Sequence, residues 1–442
     1  MSDTLVIGSP KRALASRTRW EGFFPYYAGF PENFASRIID TADLSKGAVV
    51  LDPWNGSGTT TYAATTLGIR SIGLDINPVM VIVAKSRLLP ASEADTLQAL
   101  AATIARGFRV RKGQPDELDD ELLNWFRPEG ANVVRTLEKR IRQHVVGERA
   151  MHGSTLPLEN MSSLAATMYV ALFAVCRELT AKFRSSNPTW LKIPVGSDKI
   201  DLSRSALVRS FVKAVTSMAE ALQASEHRLE FGRADLMVAD STSNRLPAGS
   251  VDFILTSPPY CTRIDYSAAT RVELALLRPI LNISMKELGR KMIGTTRVQS
   301  AITEINPNWG NTCTDFLNKV MTHNSKASSG YYLKTHIDYF DKMYRSISNI
   351  SHCLKDGGKA ILVVQDSYYK DVHNNLQLTL QEMAASLGMP LRRREDFAVA
   401  RSMSGINRYA RKRAPTLKEV ESVLCFEKAG PLMSNCGVLI QS

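Results

Sequence analysis

A strand, a glycine loop, a helix and a second strand follow one another near the amino terminus, and this order constrains the fold most. The run Ala48–Asp52 is short and rich in branched apolar residues, which predicts a buried strand. After the glycine loop, a helix over Thr59–Leu67 ends at Gly68, and Ser71–Asp75 predicts the second strand. A helix that joins two parallel strands is the unit of doubly wound α/β sheets.

Five later runs complete the predicted sheet. Apolar segments bounded by turn residues predict strands near 235–240, 251–257, 359–365, 390–399 and 420–428. We therefore predict an α/β fold with a seven-stranded, doubly wound, Rossmann-like sheet that carries helical insertions.

The alternation of strands and helices stops after the second strand and its helix. From about 91 to 230 the pattern is almost wholly helical, far longer than a crossover needs, which predicts an inserted helical domain. The expected helices are Ala91–Arg106, Asp116–Phe126, Asn132–Val146, Met161–Phe183 and Ser203–His227. We divide the rest into a flexible amino terminus (1–18), a first half of the sheet (19–90), a second half (231–430) with a polar, turn-rich insertion (262–335), and a tail (431–442).

Composition narrows the partners and the compartment. The net charge of +12 favours a polyanionic partner, nucleic acid first. The scattered cysteines form no CxxC pair, and we find no signal peptide, so we expect a cytoplasmic protein with no metal site. The most apolar helical run, Leu164–Cys176, is too short to span a bilayer.

The glycine loop, Asp52-Pro53-Trp54-Asn55-Gly56-Ser57-Gly58-Thr59, excludes two common nucleotide sites. It lacks the Gly-Lys-Ser/Thr ending of a phosphate-binding Walker loop. The third glycine of a dinucleotide fingerprint would fall at Thr61, which disfavours NAD.

Acidic residues end three successive strands of the predicted sheet. Asp52 would repel a pyrophosphate but suits a cation such as the methionyl ammonium of S-adenosylmethionine. Asp75 is placed to accept hydrogen bonds from ribose hydroxyls, and Asp240 to contact the adenine amino group. Any one of them alone would be an ordinary helix cap, but three in succession indicate a ligand site.

A proline-stopped turn follows the strand that runs to Leu255. The stretch Thr256-Ser257-Pro258-Pro259-Tyr260 cannot continue a sheet ladder, so the backbone turns outward at the carboxyl end, where open sheets bind ligands. By itself this stretch would be a tight turn. Together with the glycine loop, it predicts the second half of one site.

The loop and the turn resemble the cofactor loop and the catalytic tetrad of amino-directed DNA methyltransferases, which make N4-methylcytosine or N6-methyladenine. The resemblance covers Trp20 to about Arg87 and Phe231 to about Lys428. It implies catalysis by Ser257, Pro258, Pro259 and Tyr260, and S-adenosylmethionine binding by Phe34, Asp52, Pro53, Trp54, Gly56, Gly58, Thr59, Asp75, Ile76, Asp240 and Ser241. It also implies that the target base is flipped out of the duplex, without metal.

Serine at the head of the tetrad favours cytosine N4, while aspartate or asparagine there is the commoner adenine pattern, so adenine N6 stays as the alternative. More distant alternatives are a tRNA guanine-N2 methyltransferase and a catalytically dead nucleic-acid-binding protein. A carbon-5 methyltransferase would need a Pro-Cys pair, but Tyr260 separates Pro259 from Cys261.

The expected partner is double-stranded DNA, with a cognate restriction endonuclease as a further partner. A basic loop between the last two predicted strands is the predicted DNA contact, through Arg401, Arg408, Arg411, Lys412 and Arg413. The helical insertion is the candidate region for target recognition.

Overall fold

The computed structural model describes residues 5–11, 20–25, 29–108, 119–146, 157–185, 190–224, 232–261, 266–281, 284–295, 297–298, 304–398 and 420–430. Its strands are β1 (Val49–Asp52), β2 (Arg70–Asp75), β3 (Ala234–Val238), β4 (Val251–Thr256), β5 (Leu354–Gln365), β6 (Ser367–Tyr369), β7 (Val372–Asn374), β8 (Leu391–Ala398) and β9 (Val420–Glu427). Its α-helices are α1 (Trp20–Phe23), α2 (Glu32–Thr41), α3 (Thr59–Thr66), α4 (Pro78–Ser86), α5 (Ala94–Ala105), α6 (Pro128–Val145), α7 (Ser163–Leu179), α8 (Arg204–Gln223), α9 (Tyr266–Ala269), α10 (Arg271–Leu277), α11 (Met285–Lys291), α12 (Asn311–Thr322), α13 (Leu333–Cys353) and α14 (Leu376–Ser386).

The described strands form a seven-stranded sheet in the order β3-β2-β1-β4-β5-β9-β8, with β6 and β7 as a separate hairpin. The pairs β3–β2, β2–β1, β1–β4 and β4–β5 are parallel, whereas β9 is antiparallel to both β5 and β8. The predicted doubly wound α/β sheet is therefore confirmed.

The strand order places a ligand crevice between β1 and β4. The chain winds outward from β1 through β2 to β3 and then returns to β4 on the other side of β1. At such a switch point the connections leave the two adjacent strands in opposite directions, which opens a crevice at their carboxyl ends. Asp52 and Thr256 are the last residues of these two strands.

Apolar residues on both faces of the sheet explain why the strands are continuous hydrophobic runs. Phe253 and Leu255 of β4 belong to a core cluster with residues of α2 and α3. Ile254, which points the opposite way, belongs to a second cluster with residues of α12, α13 and α14. A sheet covered by helices on both faces needs apolar side chains on both, which is what the sequence supplies.

Much of the segment between β2 and β3 is helical. Helices α5 to α8 share one apolar cluster with α4, which follows β2, and with α10. The helices predicted over Ala91–Arg106, Met161–Phe183 and Ser203–His227 are thus present with shorter described bounds, whereas the helix predicted over Asn132–Val146 begins earlier, at Pro128. The fifth, predicted over Asp116–Phe126, is wrong in its described part, which is a 3-10 turn over Glu121–Asn124 capped by the Asp120 carboxylate.

The segment 262–335 is less turn-rich than predicted, since its described residues include α9 to α12 and the start of α13. Helix α12 buries Cys313, Phe316, Leu317 and Val320, whose spacing puts them on one helical face. The turn-forming residues around Asn306 precede this helix and predict turns, whereas the apolar periodicity that follows them predicts a helix.

No helix among the described residues is long and apolar enough to cross a bilayer.

Candidate active site

A cavity of about 280 Å³ lies at the carboxyl ends of β1, β2 and β4. Its lining brings together most of the residues that the sequence marked, namely Asp52, Pro53, Trp54, Gly56, Thr59, Asp75, Ile76, Asp240, Ser241, Ser257, Pro258, Pro259 and Tyr260. Phe34 and Gly58 do not line it. The glycine loop and the tetrad, about two hundred residues apart in the chain, therefore meet at one site.

Asp52 is held rigidly at the floor of the cavity. The Thr256 hydroxyl donates to its Oδ1 at 2.6 Å, and the Trp54 backbone N–H donates to the same atom at 3.1 Å. Burial raises the pKa of Asp52 to about 6, and these hydrogen bonds oppose that rise. The carboxylate also links β1 to β4 through Thr256, so the two halves of the site share one anchor.

Asp75 is fixed by the backbone on both sides. The N–H groups of Gly56 and Asn77 donate to its two carboxylate oxygens at 2.9 Å and 2.8 Å. Burial raises the pKa of Asp75 to about 7, with a further small rise from the negative charge of Asp52. Each carboxylate oxygen keeps a lone pair for a ligand, because one hydrogen bond does not saturate it. A buried acid next to a half-buried one favours a ligand with positive charge and hydroxyl donors.

Gly58 allows close packing of two helices and does not line the cavity. Its φ of 81° lies in the left-handed region, and a Cβ there would come within 2.7 Å of the Ala84 Cβ. The glycine lets the start of α3 approach α4 closely.

Phe34 is a core residue in the structure. It is 5% exposed and packs against Phe30, with the ring centroids 5.2 Å apart. Phe30 is the ring that lines the cavity. The spacing of Phe34 and Ile38 on the buried face of α2 is the sequence signal that could have separated the two phenylalanines.

The tetrad is positioned by three neighbouring elements. The Ser257 hydroxyl donates to the Val363 carbonyl of β5 at 3.1 Å, which fixes its rotamer and leaves its lone pairs able to accept. The Tyr339 hydroxyl of α13 donates to the Pro259 carbonyl at 2.9 Å. The Tyr260 backbone N–H donates to the Tyr266 hydroxyl oxygen at 3.3 Å.

Asp240 and Ser241 build the turn after β3. The Asp240 Oδ1 accepts hydrogen bonds from the backbone N–H and the hydroxyl of Thr242, at 2.9 Å and 2.7 Å. Ser241 bonds to Ser346 of α13 at 2.9 Å between the two hydroxyl oxygens. The turn is therefore tied to α13 while both residues line the cavity.

One wall of the cavity is organised by Arg177 of α7, which was not among the predicted site residues. Its guanidinium lies 3.8 Å from the centroid of the Phe24 ring and forms an ion pair with Glu273 of α10. It also donates to the Pro25 and Ala269 carbonyls, each at 3.3 Å. Arg177, which belongs to the helical insertion, thus contacts both the segment around Phe24 and the insertion 262–335. A lone arginine on a helix looks like a solvated charge, so sequence alone could not identify it.

The buried ring nitrogen Nε1 of Trp54 has no hydrogen-bond partner within the described ranges, although Trp54 lines the cavity. A buried donor without an acceptor is costly, which favours a ligand that supplies one. Across the same ranges, no group of three or more His, Cys, Asp or Glu side chains is placed to hold a metal ion. The predicted DNA contacts Arg401, Arg408, Arg411, Lys412 and Arg413 lie outside the described residues.

Comparison with known proteins agrees with this architecture. Residues 10–86 match the N6/N4 methyltransferase family model, whose description is DNA methylase. The chain is 26% identical over 280 residues to the type II methyltransferase M.BsoBI of Geobacillus stearothermophilus, which covers 57% of this chain and 51% of that protein. It is 21% identical over 406 residues to the type II methyltransferase M.AvaI of a Nostoc species, which covers 84% of this chain and 78% of that protein.

The chain therefore spans about half the length of M.BsoBI. Among solved structures, a phosphoethanolamine N-methyltransferase of Haemonchus contortus in complex with S-adenosylhomocysteine aligns with 88% of this chain and 96% of its own, at 8% identity. The TM-score of 0.20 is too low for that alignment to support an argument. The match of the strand-loop-helix-strand segment to the DNA methylase model, together with the two type II relatives, confirms that this chain resembles the amino-directed DNA methyltransferases.

Proposed function

We propose that the protein is a site-specific DNA methyltransferase that transfers a methyl group from S-adenosylmethionine to the exocyclic amine of a flipped cytosine, at N4. One observation carries the proposal: Asp52 and Asp75, which end the first two strands, and the Ser257–Tyr260 tetrad line the same cavity. A methyl donor held at one strand end then faces an acceptor amine held at the next.

The cavity fits S-adenosylmethionine by the chemistry of its lining. Asp52 and Asp75 both have raised pKa values, so a cationic ligand with hydroxyl donors would stabilise their charged forms. The Trp54 Nε1 offers a buried donor to an acceptor atom of the ligand. Phe30 and Ile76 add apolar surface to the same lining.

When bound, S-adenosylmethionine supplies an electrophilic methyl group on a positively charged sulfur. The protein's own task is to make a poor nucleophile react, because the lone pair of an exocyclic base amine is delocalised into the ring. Ser257 Oγ, already oriented by its bond to the Val363 carbonyl, accepts a hydrogen bond from the amine. The Pro258 carbonyl accepts the second. These two acceptors draw electron density onto the nitrogen and aim its lone pair.

Tyr260 is proposed to stack on the flipped base and hold it in the plane that these acceptors require. The hydrogen bond from the Tyr260 backbone N–H to the hydroxyl oxygen of the half-buried Tyr266 fixes the main chain that carries the ring. Most of the rate enhancement then comes from positioning and from oriented dipoles, which need no reorganisation during the reaction.

Serine at position 257 supports cytosine N4 as the acceptor, because the adenine enzymes of this family more often carry aspartate or asparagine there. Adenine N6 presents the same amine chemistry and is the competing outcome of the test below.

The proposed substrate is double-stranded DNA, and a cognate restriction endonuclease is the proposed partner, as the similarity to two type II methyltransferases and to the DNA methylase model supports. We further propose the helical insertion (91–230) as the region that recognises the target. Its Arg177 reaches the cavity, which supports a physical link between recognition and catalysis.

The test is to express the protein in a host that lacks DNA methylation and to map modified bases by single-molecule sequencing. The proposal expects N4-methylcytosine at one short sequence, and a much smaller methylated fraction when a Ser257→Ala variant is expressed at the same level. Methylated adenines would overturn the base assignment, and unmodified DNA would overturn the proposed function.

A further inference from the structure

A short pair of antiparallel segments carries an exposed tryptophan at the mouth of the cavity. These segments, residues 183–185 and 190–192, are called the rim ribbon here. Arg184 and Leu191 form an antiparallel bridge, and the Ser185 N–H donates to the Trp190 carbonyl at 3.0 Å. Trp190 is 60% exposed and still lines the cavity.

The rim ribbon is anchored firmly, so the exposure of Trp190 does not come from a loose chain. The Lys192 N–H donates to the Phe183 carbonyl at 3.0 Å, and the Lys192 carbonyl accepts from the indole Nε1 of Trp125 at 3.2 Å. Trp125 is 1% exposed and belongs to the apolar cluster of the helical insertion. These hydrogen bonds tie the rim ribbon to a buried core while the Trp190 ring stays in solvent, where it is available to a ligand.

Positive charge surrounds this ring. Between Ala181 and Ser197 the sequence has Lys182, Arg184 and Lys192 but no acidic residue. Arg184 is exposed and lines the cavity. Arg271 and Lys291, from the insertion 262–335, also line the cavity. An exposed aromatic ring among basic side chains is the combination that binds unstacked bases and their phosphates.

We infer that the rim ribbon engages the DNA strand that carries the flipped nucleotide, with Trp190 stacked on a nucleobase at the cavity mouth and Arg184 and Lys192 against the flanking phosphates. This inference rests on the proposed function and names the element that delivers the target to the tetrad. Trp190 is a positioning residue, because it holds the nucleotide that enters while the tetrad contacts the reacting amine.

The test compares Trp190→Ala and Trp190→Phe in the full-length protein, with unmethylated plasmid DNA as the substrate. Base stacking on one aromatic ring corresponds to a loss of roughly 5-fold to 150-fold on substitution by alanine. We expect KM for the plasmid to rise within that range in Trp190→Ala. The phenylalanine variant should recover most of the loss, and the Kd for S-adenosylmethionine should stay unchanged in both.

Ile193→Ala is the matched control, since Ile193 is 52% exposed and close in the chain but does not line the cavity. Its plasmid KM should equal that of the wild type. Arg184→Gln and Lys192→Gln should each reduce the slope of log Kd against log salt by about 0.9, the value for one phosphate contact.

The outcomes separate the two proposals. A wild-type protein that neither binds nor methylates plasmid DNA contradicts the proposed function. A wild-type protein that methylates normally, with Trp190→Ala unchanged in plasmid KM, overturns the rim ribbon inference alone. A Trp190→Ala variant that weakens cofactor binding also overturns it, because the ring would then belong to the cofactor site.

Discussion

Replacing Asp75 by asparagine removes one negative charge from the cavity while keeping the side-chain volume. The wild-type carboxylate accepts from the Gly56 and Asn77 backbone N–H groups with one oxygen each, and both distances are below 3 Å. An asparagine has only one acceptor oxygen, so its NH₂ group must face one of these two donors. The variant therefore loses a backbone contact as well as a ligand contact.

The size of the effect on cofactor affinity follows from the hydrogen bonds at stake. A hydrogen bond to a charged group contributes about 1.5–3 kcal/mol, and about 1.4 kcal/mol corresponds to a tenfold change in Kd. Loss of one such bond to a ribose hydroxyl raises the Kd for S-adenosylmethionine by roughly 10-fold to 150-fold at about pH 8.

The pH dependence has a definite sign. Burial raises the pKa of Asp75 from 3.8 to about 7, so the folded, ligand-free protein holds a proton that the unfolded chain has lost. This group therefore lowers stability as the pH rises between these two values, and the Asp75→Asn variant lacks that decline. Cofactor affinity has the opposite trend: it strengthens up to about pH 7 in the wild type, because the ligand favours the ionised carboxyl.

Isothermal titration calorimetry with S-adenosylmethionine at several pH values measures the cofactor Kd and its dependence on pH. Asp235→Asn is the matched control, since Asp235 lies in the same sheet, pairs with Arg70 and Arg233, and does not line the cavity. Its cofactor Kd should equal that of the wild type. An Asp75→Asn variant with wild-type affinity and wild-type pH dependence would refute the assignment of Asp75 to the cofactor.

Three further substitutions test separate parts of the site. Ser257→Ala should lower kcat by roughly 100-fold to 1,000-fold, as for loss of one preorganised polar contact, with cofactor Kd unchanged. The control Ser250→Ala removes a hydroxyl that is hydrogen-bonded to the Pro247 carbonyl just before the same strand, and it should leave kcat unchanged. Equal rates for the two variants would contradict the role of Ser257. Tyr260→Ala should weaken the use of DNA by roughly 5-fold to 150-fold while Tyr260→Phe keeps most of it, because stacking needs the ring rather than the hydroxyl; equal losses in steady-state kinetics would argue for the hydroxyl instead. Arg177→Gln leaves Glu273, which is only 2% exposed, without its ion-pair partner, and it should reduce the free energy of unfolding by roughly 3–5 kcal/mol in a denaturant titration. The double variant Arg177→Met, Glu273→Leu should recover much of that stability. A further loss of stability in the double variant would refute the explanation.

The sheet and the centre of the site were predictable because local signals encode them. Apolar runs such as Val251–Leu255 are stopped by proline or glycine, and parallel strands bring their carboxyl ends to one edge. Asp52, Asp75 and Ser257 meet in the cavity for that reason alone.

The parts that the sequence did not reveal depend on contacts between distant segments. Arg177 and Glu273 are 96 residues apart in the chain, and neither is unusual in its local context. Phe34 lies on the buried face of the second helix, whereas Phe30 precedes that helix and lines the cavity, a difference that depends on how the segment before the helix packs. The helices of 262–335 were hidden because asparagine and glycine near Trp309 suggested turns, whereas the apolar face of α12 determines the structure.

The central claim is that this cavity delivers a methyl group to an exocyclic base amine. The most direct measurement incubates purified protein with unmethylated plasmid DNA and S-adenosylmethionine that carries a heavy-isotope methyl group, then identifies the labelled nucleoside by mass spectrometry. The account predicts label in N4-methylcytosine, which accumulates roughly 100-fold to 1,000-fold more slowly with Ser257→Ala. Label in 5-methylcytosine, or label that persists in the Ser257→Ala variant at the wild-type rate, would contradict it.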